Sequence, residues 1–122
     1  FDIDYVENMQ FTIYNKNQHY GWHCDSSEIP YDCPKDIKKH GKVRKLSVTI
    51  SLTDPKKYKG GEFEFDFRTH NDVKKIKFYK TKEIKSRGSM VIFPSFMWHR
   101  VLPVTSGTRY SLVVWVCGKP FK

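Results

Sequence analysis

Residues 46–52 read LSVTISL, a strict alternation in which Leu46, Val48, Ile50 and Leu52 share one face and Ser47, Thr49 and Ser51 the other. Successive side chains on a strand point to opposite faces, so a period of two predicts a β-strand here. Similar runs recur along the chain: FTIY at 11–14, EFEFDF at 62–67, KIKFYK at 75–80, SMVIF at 89–93, MWHRVLPV at 97–104 and RYSLVVWVC at 109–117. Long helical periodicity is nearly absent. Asn15–Asn17 and the TDPKKYKGG stretch at 53–61 read as turns, and Thr105, Ser106 and Gly107 read as the turn of a C-terminal hairpin. Many short strands separated by Gly and Pro turns predict a mainly β fold, an antiparallel sandwich or barrel. If the Ser47, Thr49, Ser51 row points inward, it lines a pocket that needs hydrogen bonds; if it points outward, it is the wet face of an ordinary edge strand.

Residues 26–45 show little periodicity and contain Pro30, Pro34 and Gly41, so they are expected to form a long loop of the kind that covers sites. No internal repeat or low-complexity tract interrupts the pattern. With 122 residues, 39% hydrophobic and 16% aromatic, the chain has enough apolar material for one core, and residues 1–122 are read as one domain. No apolar run reaches the roughly 20 residues of a membrane span. The chain opens at Phe1 rather than methionine and reads as part of a longer protein. Cys24, Cys33 and Cys117 are an odd number, which favours reduced thiols and an intracellular, cytoplasmic setting. The formal net charge is +9, with basic runs at 35–45 and 74–87. Such runs attract nucleic acid or an acidic protein, or they simply keep a small domain solvated.

Candidate chemistry sits at both ends of the chain. On a strand, His23 and Asp25 share a face and can converge on one ion, although His-x-Asp alone is a weak signal. His99 supplies a third ligand. Two imidazoles and one carboxylate form the facial triad of non-haem Fe(II) oxygenases, with a catalytic zinc site as the chemical alternative. Arg109 lies ten residues after His99, and the hairpin is expected to return it to a strand neighbouring His99 with the same inward facing. Ser111 shares that face. A guanidinium and a hydroxyl close to a metal fit the far carboxylate of a dicarboxylate ligand. His19 is expected at the rim. Cys24 is expected to point away from the ligands. Phe96 and Trp98 are read as packing residues, and Tyr20 and Trp22 as core or, alternatively, substrate-facing residues near the mouth.

Three stretches then carry a resemblance. Tyr14, Gln18, Tyr20, His23 and Asp25 match the spacing of a Tyr-x-x-Gly-Gln-x-Tyr-x-x-His-x-Asp motif, with Asn17 in place of the glycine. The stretch RKLSVTISLTDPKKYKGGEFEF and the closing GSMVIFPSFMWHRVLPVTSGTRYSLVVWV match, in order, the middle and final segments of the same family. The chain thus resembles the catalytic core of the prolyl 4-hydroxylase-like (PKHD-type) Fe(II)/2-oxoglutarate-dependent dioxygenases, from about Tyr14 to Trp115. The resemblance implies a double-stranded β-helix, or jelly roll, of which this fragment lacks the N-terminal helices common in relatives. It implies Fe(II) held by His23, Asp25 and His99, with 2-oxoglutarate as cosubstrate, O2 as oxidant and ascorbate as an accessory reductant. Arg109 would pair with the C5 carboxylate, Tyr14 and Ser47 would donate hydrogen bonds to the cosubstrate, and Trp115 would line the pocket. Ser51 stands where some relatives carry a tyrosine. The implied reaction is hydroxylation of an unactivated C–H bond, in a prolyl or other peptide side chain, with succinate and CO2 as coproducts. The alternative is a nucleic-acid base; AlkB-type demethylases, however, carry a second arginine six residues after the first, where this chain has Trp115.

Overall fold

The computed structural model describes residues 1–67 and 78–121. Among the described residues eleven strands follow one another: β1 Tyr5–Val6, β2 Gln10–Tyr14, β3 Tyr20–His23, β4 Val43–Ser51, β5 Tyr58–Gly60, β6 Phe63–Asp66, β7 Phe78–Lys80, β8 Met90–Pro94, β9 Trp98–Val101, β10 Val104–Gly107 and β11 Arg109–Gly118. Two short 3-10 turns, Pro55–Lys57 and Lys82–Lys85, are the only helical elements among the described residues. No helix among them is long and apolar enough to cross a membrane.

Two antiparallel sheets face each other in a jelly roll. The larger has the order β1-β11-β4-β8, with β2 also on β11; the smaller has the order β3-β9-β6-β7. A two-stranded ribbon of β10 and β5 closes one end. Between the sheets, Phe63, Phe65, Ile84, Phe93 and Val101 form the buried core, with Tyr14, Val91 and Met97 packed against it. The alternation of β4 resolves in favour of the pocket: Ser47, Thr49 and Ser51 are buried between the sheets, while Leu46, Val48 and Ile50 are only half-buried. The outer face of the larger sheet also exposes Phe11, Ile13, Met90 and Ile92.

Three sequence expectations change. The loop ends earlier than residue 45, because Val43, Arg44 and Lys45 already belong to β4. Tyr58–Gly60, within the expected turn, forms β5. Of the strand expected at 75–80, Phe78–Lys80 is seen, and residues 75–77 lie outside the described residues, as does the start of the basic run at 74–87.

The largest change is at the C-terminus: 97–104 and 109–117 do not form one hairpin. Thr105–Gly107 is itself strand, and β9, β10 and β11 belong to three different sheets. Pro103 stands at this crossing and has no N–H to continue a ladder. Instead Val104 bonds to the 15–18 turn, where Val104 N–H donates to Gln18 O at 3.1 Å and Asn17 N–H to Val104 O at 2.7 Å. Asn17 adopts φ 73°, the left-handed conformation that its replacement of glycine anticipates. Gly107, at φ 74°, lets β10 lie on β5: a Cβ there would sit 2.2 Å from Lys57 O.

Candidate active site

The β3 end of the smaller sheet presents His23, and Asp25 follows two residues later in the loop, its N–H bonded to Ser95 O at 2.9 Å. His99 faces His23 across the β3–β9 ladder, where the two are register partners. The ligand atoms of His23, Asp25 and His99 all lie within 4.8 Å of one another. His23 Nε2 is 3.4 Å from Asp25 Oδ1, and His99 Nε2 is 3.6 Å from Asp25 Oδ2.

Both rings are set by the same local device. Nδ1 of His23 lies 2.7 Å from Gly21 O, and Nδ1 of His99 lies 2.9 Å from Met97 O. A carbonyl can only accept, so each Nδ1 carries the proton and each Nε2 turns toward Asp25. Three acceptors facing one point repel one another unless a cation or a proton lies between them. Such backbone partners are what fix the tautomer of metal-binding imidazoles.

The electrostatics agree. Burial alone would raise the Asp25 carboxyl, but contact with His23, the Ser47 hydrogen bond and nearby His99 outweigh it and bring its pKa down to about 2. Ser47 Oγ donates to Asp25 Oδ2 at 2.6 Å and also meets Ser95 Oγ at 2.9 Å. Burial pushes His99 below the usual histidine range, which favours its neutral form. Phe63 and Phe93 pack on the His99 ring, with centroids at 5.4 and 4.8 Å.

The same cleft, about 430 Å³, runs between the sheets to Arg109 on β11. Arg109 is 3% exposed, and no carboxylate pairs with it among the described residues. Its surroundings are neutral: Ser111 Oγ at 3.5 Å from Nη1, and the Tyr14 ring 5.5 Å from the guanidinium. Burial lowers the Arg109 pKa and raises that of Tyr14, whose hydroxyl therefore remains a neutral donor. Ser111 Oγ shares a short hydrogen bond with Thr12 Oγ1. A buried cation without a counter-ion is costly, and an anionic ligand would relieve that cost.

All eight residues singled out in the sequence, namely His23, Asp25, His99, Arg109, Tyr14, Ser47, Ser111 and Trp115, line this one cleft. They converge by a different route from the expected hairpin. His99 comes from the smaller sheet and Arg109 from the larger, so they meet across the sandwich rather than on adjacent strands. Ser47, read as a cosubstrate donor, has its hydroxyl on Asp25. Ser51 Oγ is buried with no hydrogen-bond partner among the described residues. Cys24 lines the cleft too, against expectation. Tyr20 is half-exposed at the mouth and packs against His23 with the rings tilted and their centroids 4.0 Å apart. Trp22 instead packs outside the smaller sheet against Phe78 and Arg100. Phe96 and Trp98 are more than half exposed rather than packed inside.

Sequence reading missed Arg44. Alternation from Ser47 would turn it away from the cleft, but the β4–β11 register shifts between Val116 and Cys117, skipping Lys45 and pairing Arg44 with Cys117. Such a bulge re-aims a side chain, and Arg44 joins the cleft lining. The basic run gave no hint of this, because a bulge is a property of the pairing and not of one strand.

Comparison with known proteins bears on this geometry. A PKHD-type hydroxylase of Pseudoalteromonas atlantica is 32% identical over 108 residues, covering 88% of this chain and 41% of that protein. One from Hyphomonas neptunium is 43% identical over 72 residues, 58% of this chain and 28% of its own length. The chain thus spans less than half the length of these curated relatives. Among solved structures, a Pseudomonas putida prolyl-4-hydroxylase matches with TM-score 0.64 at 21% identity, over 93% of this chain and 53% of that one. A viral collagen prolyl hydroxylase from Paramecium Bursaria Chlorella virus-1, in complex with 2OG, matches with TM-score 0.63 at 23% identity, over 95% of this chain and 61% of that one. These structural likenesses bear on the jelly-roll fold. The model of the 2OG-Fe(II) oxygenase superfamily matches residues 9–117, nearly all of the sandwich and every residue of the cleft described above, and the chain belongs to that superfamily, whose chemistry implies Fe(II), 2-oxoglutarate and O2.

Proposed function

We propose that this chain is the catalytic core of a hydroxylase acting on an unactivated C–H bond of a polypeptide side chain, with a prolyl residue the first candidate. One observation carries the reading: three convergent metal-binding acceptors share a cleft with a buried arginine that has no carboxylate partner among the described residues. In this reading His23, Asp25 and His99 would hold the metal, and with only three protein ligands would leave room on it for cosubstrate and O2. Arg109 and Ser111 bind the distal carboxylate of 2-oxoglutarate, and Tyr14 donates a hydrogen bond from the cleft wall. Fe(II) held there would supply O2 activation coupled to oxidative decarboxylation of 2-oxoglutarate to succinate and CO2, with one oxygen atom going to succinate and the other to the substrate C–H bond.

The chain's own part is placement. The Gly21 and Met97 carbonyls hold the two imidazoles in their metal-binding tautomers, and Ser47 fixes one oxygen of Asp25. Phe63 and Phe93 keep water from the His99 side. The polypeptide reading is supported by relatives named PKHD-type hydroxylases and by structural neighbours named prolyl hydroxylases. A nucleic-acid substrate is motivated by the +9 charge. Part of the 35–45 basic run is satisfied internally, however: Arg44 and Lys39 pair with Glu7, and Lys42 with Asp4.

The test incubates the chain with Fe(II), 2-oxoglutarate and O2 against pools of peptides, oligonucleotides and free amino acids. Succinate is measured, and products are searched by mass for the gain of one oxygen. Oxygen gained by a peptide supports the proposal, and oxygen gained by an oligonucleotide replaces it with the nucleic-acid reading. Succinate formation that survives both His23→Ala and Asp25→Ala overturns the site.

A further inference from the structure

Glu7 lies outside the cleft and outside every motif in the chain, yet it is among the most heavily partnered side chains described. It is 9% exposed. Its carboxylate receives Arg44 Nε at 2.6 Å and Nη2 at 3.4 Å, the Tyr31 hydroxyl at 3.2 and 3.3 Å, and the Cys117 thiol at 3.6 Å. Lys39 Nζ completes the shell at 3.3 Å. Burial would raise the Glu7 pKa, but Arg44 and Lys39 overcome this and hold it below the usual range, so the carboxylate is charged. The backbone joins in, since Glu7 N–H donates to Trp115 O at 3.0 Å.

Two further contacts lead inward. The Arg44 guanidinium lies over the Trp115 ring, 3.7 Å from its centroid. Trp115 is the cross-strand partner of Ser47, whose hydroxyl is bonded to Asp25. The buried indole N–H of Trp115 makes no close hydrogen bond, but it lies near enough to Asp25 to help lower that carboxyl. A ring free to swing about its two torsions would lose that contact. A cation stacked on it and pinned by a buried carboxylate leaves it one orientation.

We propose that Glu7 is a positioning residue for the metal centre: acting through Arg44, it clamps the Trp115 ring as the wall beside the Ser47–Asp25 pair. This rests on His23, Asp25 and His99 being the metal ligands. A partner one step behind a ligand commonly changes metal affinity by about 10- to 100-fold when removed. Glu7 is three steps behind, through Arg44 and Trp115, so no more than the lower end of that range is expected.

The simpler account is that Glu7 only fastens the 24–42 loop through Tyr31 and Lys39. Calorimetric titration with Co(II) alone, without 2-oxoglutarate, separates the two. Under the proposal, Glu7→Gln and Arg44→Ala each weaken Co(II) binding by about tenfold, and the double variant is no worse than either single one. Tyr31→Phe and Lys39→Met, which loosen the loop and leave the stack, stay within about twofold of the parent. Parent-like affinity in Glu7→Gln overturns the proposal, as does a Tyr31→Phe defect as large as that of Glu7→Gln. If Glu7→Gln does not fold, Arg44→Ala gives the same reading. A parent chain that fails to bind Co(II) would instead overturn the ligand assignment beneath it.

Discussion

Arg109 offers a test in which stability and binding move in opposite directions. Its guanidinium is 3% exposed and no carboxylate pairs with it among the described residues, so the unliganded fold carries an uncompensated buried charge. Arg109→Met keeps most of the length of the stem and removes the charge. The unliganded variant is therefore expected to melt no lower than the parent, since replacing buried charge by an apolar group of similar volume is often neutral or stabilising. Its affinity for 2-oxoglutarate should collapse. Truncating one side of a buried, hydrogen-bonded charge pair costs about 2–5 kcal/mol, and a middle value of about 3 kcal/mol is roughly a 150-fold rise in Kd.

Thermal shift reads both effects at once. At 2-oxoglutarate about 100 times the parent Kd, linkage stabilises the parent by about 2.7 kcal/mol and the variant by about 0.3 kcal/mol. At the entropy of unfolding expected for a chain of this size, about 4 °C per kcal/mol, these become shifts of roughly 11 °C and 1 °C. Mn(II) in place of Fe(II) keeps the site loaded without turnover. A ligand-induced shift in Arg109→Met equal to the parent's would refute the anion-binding role. An unliganded melting point many degrees lower would show that Arg109 is a structural residue whose buried charge is compensated in the unliganded fold.

Other outcomes follow from the same geometry. His23→Ala and Asp25→Ala should each abolish Fe(II)-dependent succinate formation while leaving the β circular-dichroism signal in place; turnover near the parent's in either sinks the ligand set. Asp25 titrates near 2 in the folded chain, below an ordinary aspartate, so it stabilises the metal-free fold fully above about pH 4. That contribution, about 2 kcal/mol, is lost as the pH falls through 2. The stability gap between the parent and Asp25→Asn, measured by urea unfolding, should accordingly shrink as pH falls from 5 toward 2, and a constant gap contradicts the shift. Ser47→Ala removes the hydroxyl bonded to Asp25 Oδ2, so metal affinity should drop by about tenfold on titration, with unchanged affinity as the failing result. Gly107→Ala places a Cβ 2.2 Å from Lys57 O at a positive φ, and should lower stability by roughly 2 kcal/mol or more. A melting point equal to the parent's would show that β10 and β5 can part without cost.

The local parts of this protein were legible one strand at a time. The alternation at 46–52 announced β4 and its polar face, and that face is buried against the cleft because the ligands it serves are polar. The substitution of Asn17 for glycine pointed to a left-handed residue, and its φ of 73° closes the turn that receives Val104. The spacing of His23, Asp25, His99 and Arg109 marked the cleft, because motif spacing survives whichever strands deliver the residues. Pairing was not legible. A hairpin between the last two strands is the shortest connection, but Pro103 ends one ladder and the chain crosses to β5 before reaching the other sheet. The bulge at Lys45 likewise exists only between β4 and β11, and Arg44 beside it lies over Trp115. Periodicity depends on neighbours one and two residues away, so it writes strands and their faces into the sequence. Which strands meet, in what register, and therefore that Glu7 stands behind the cleft, is settled by side chains distant in sequence competing for one core.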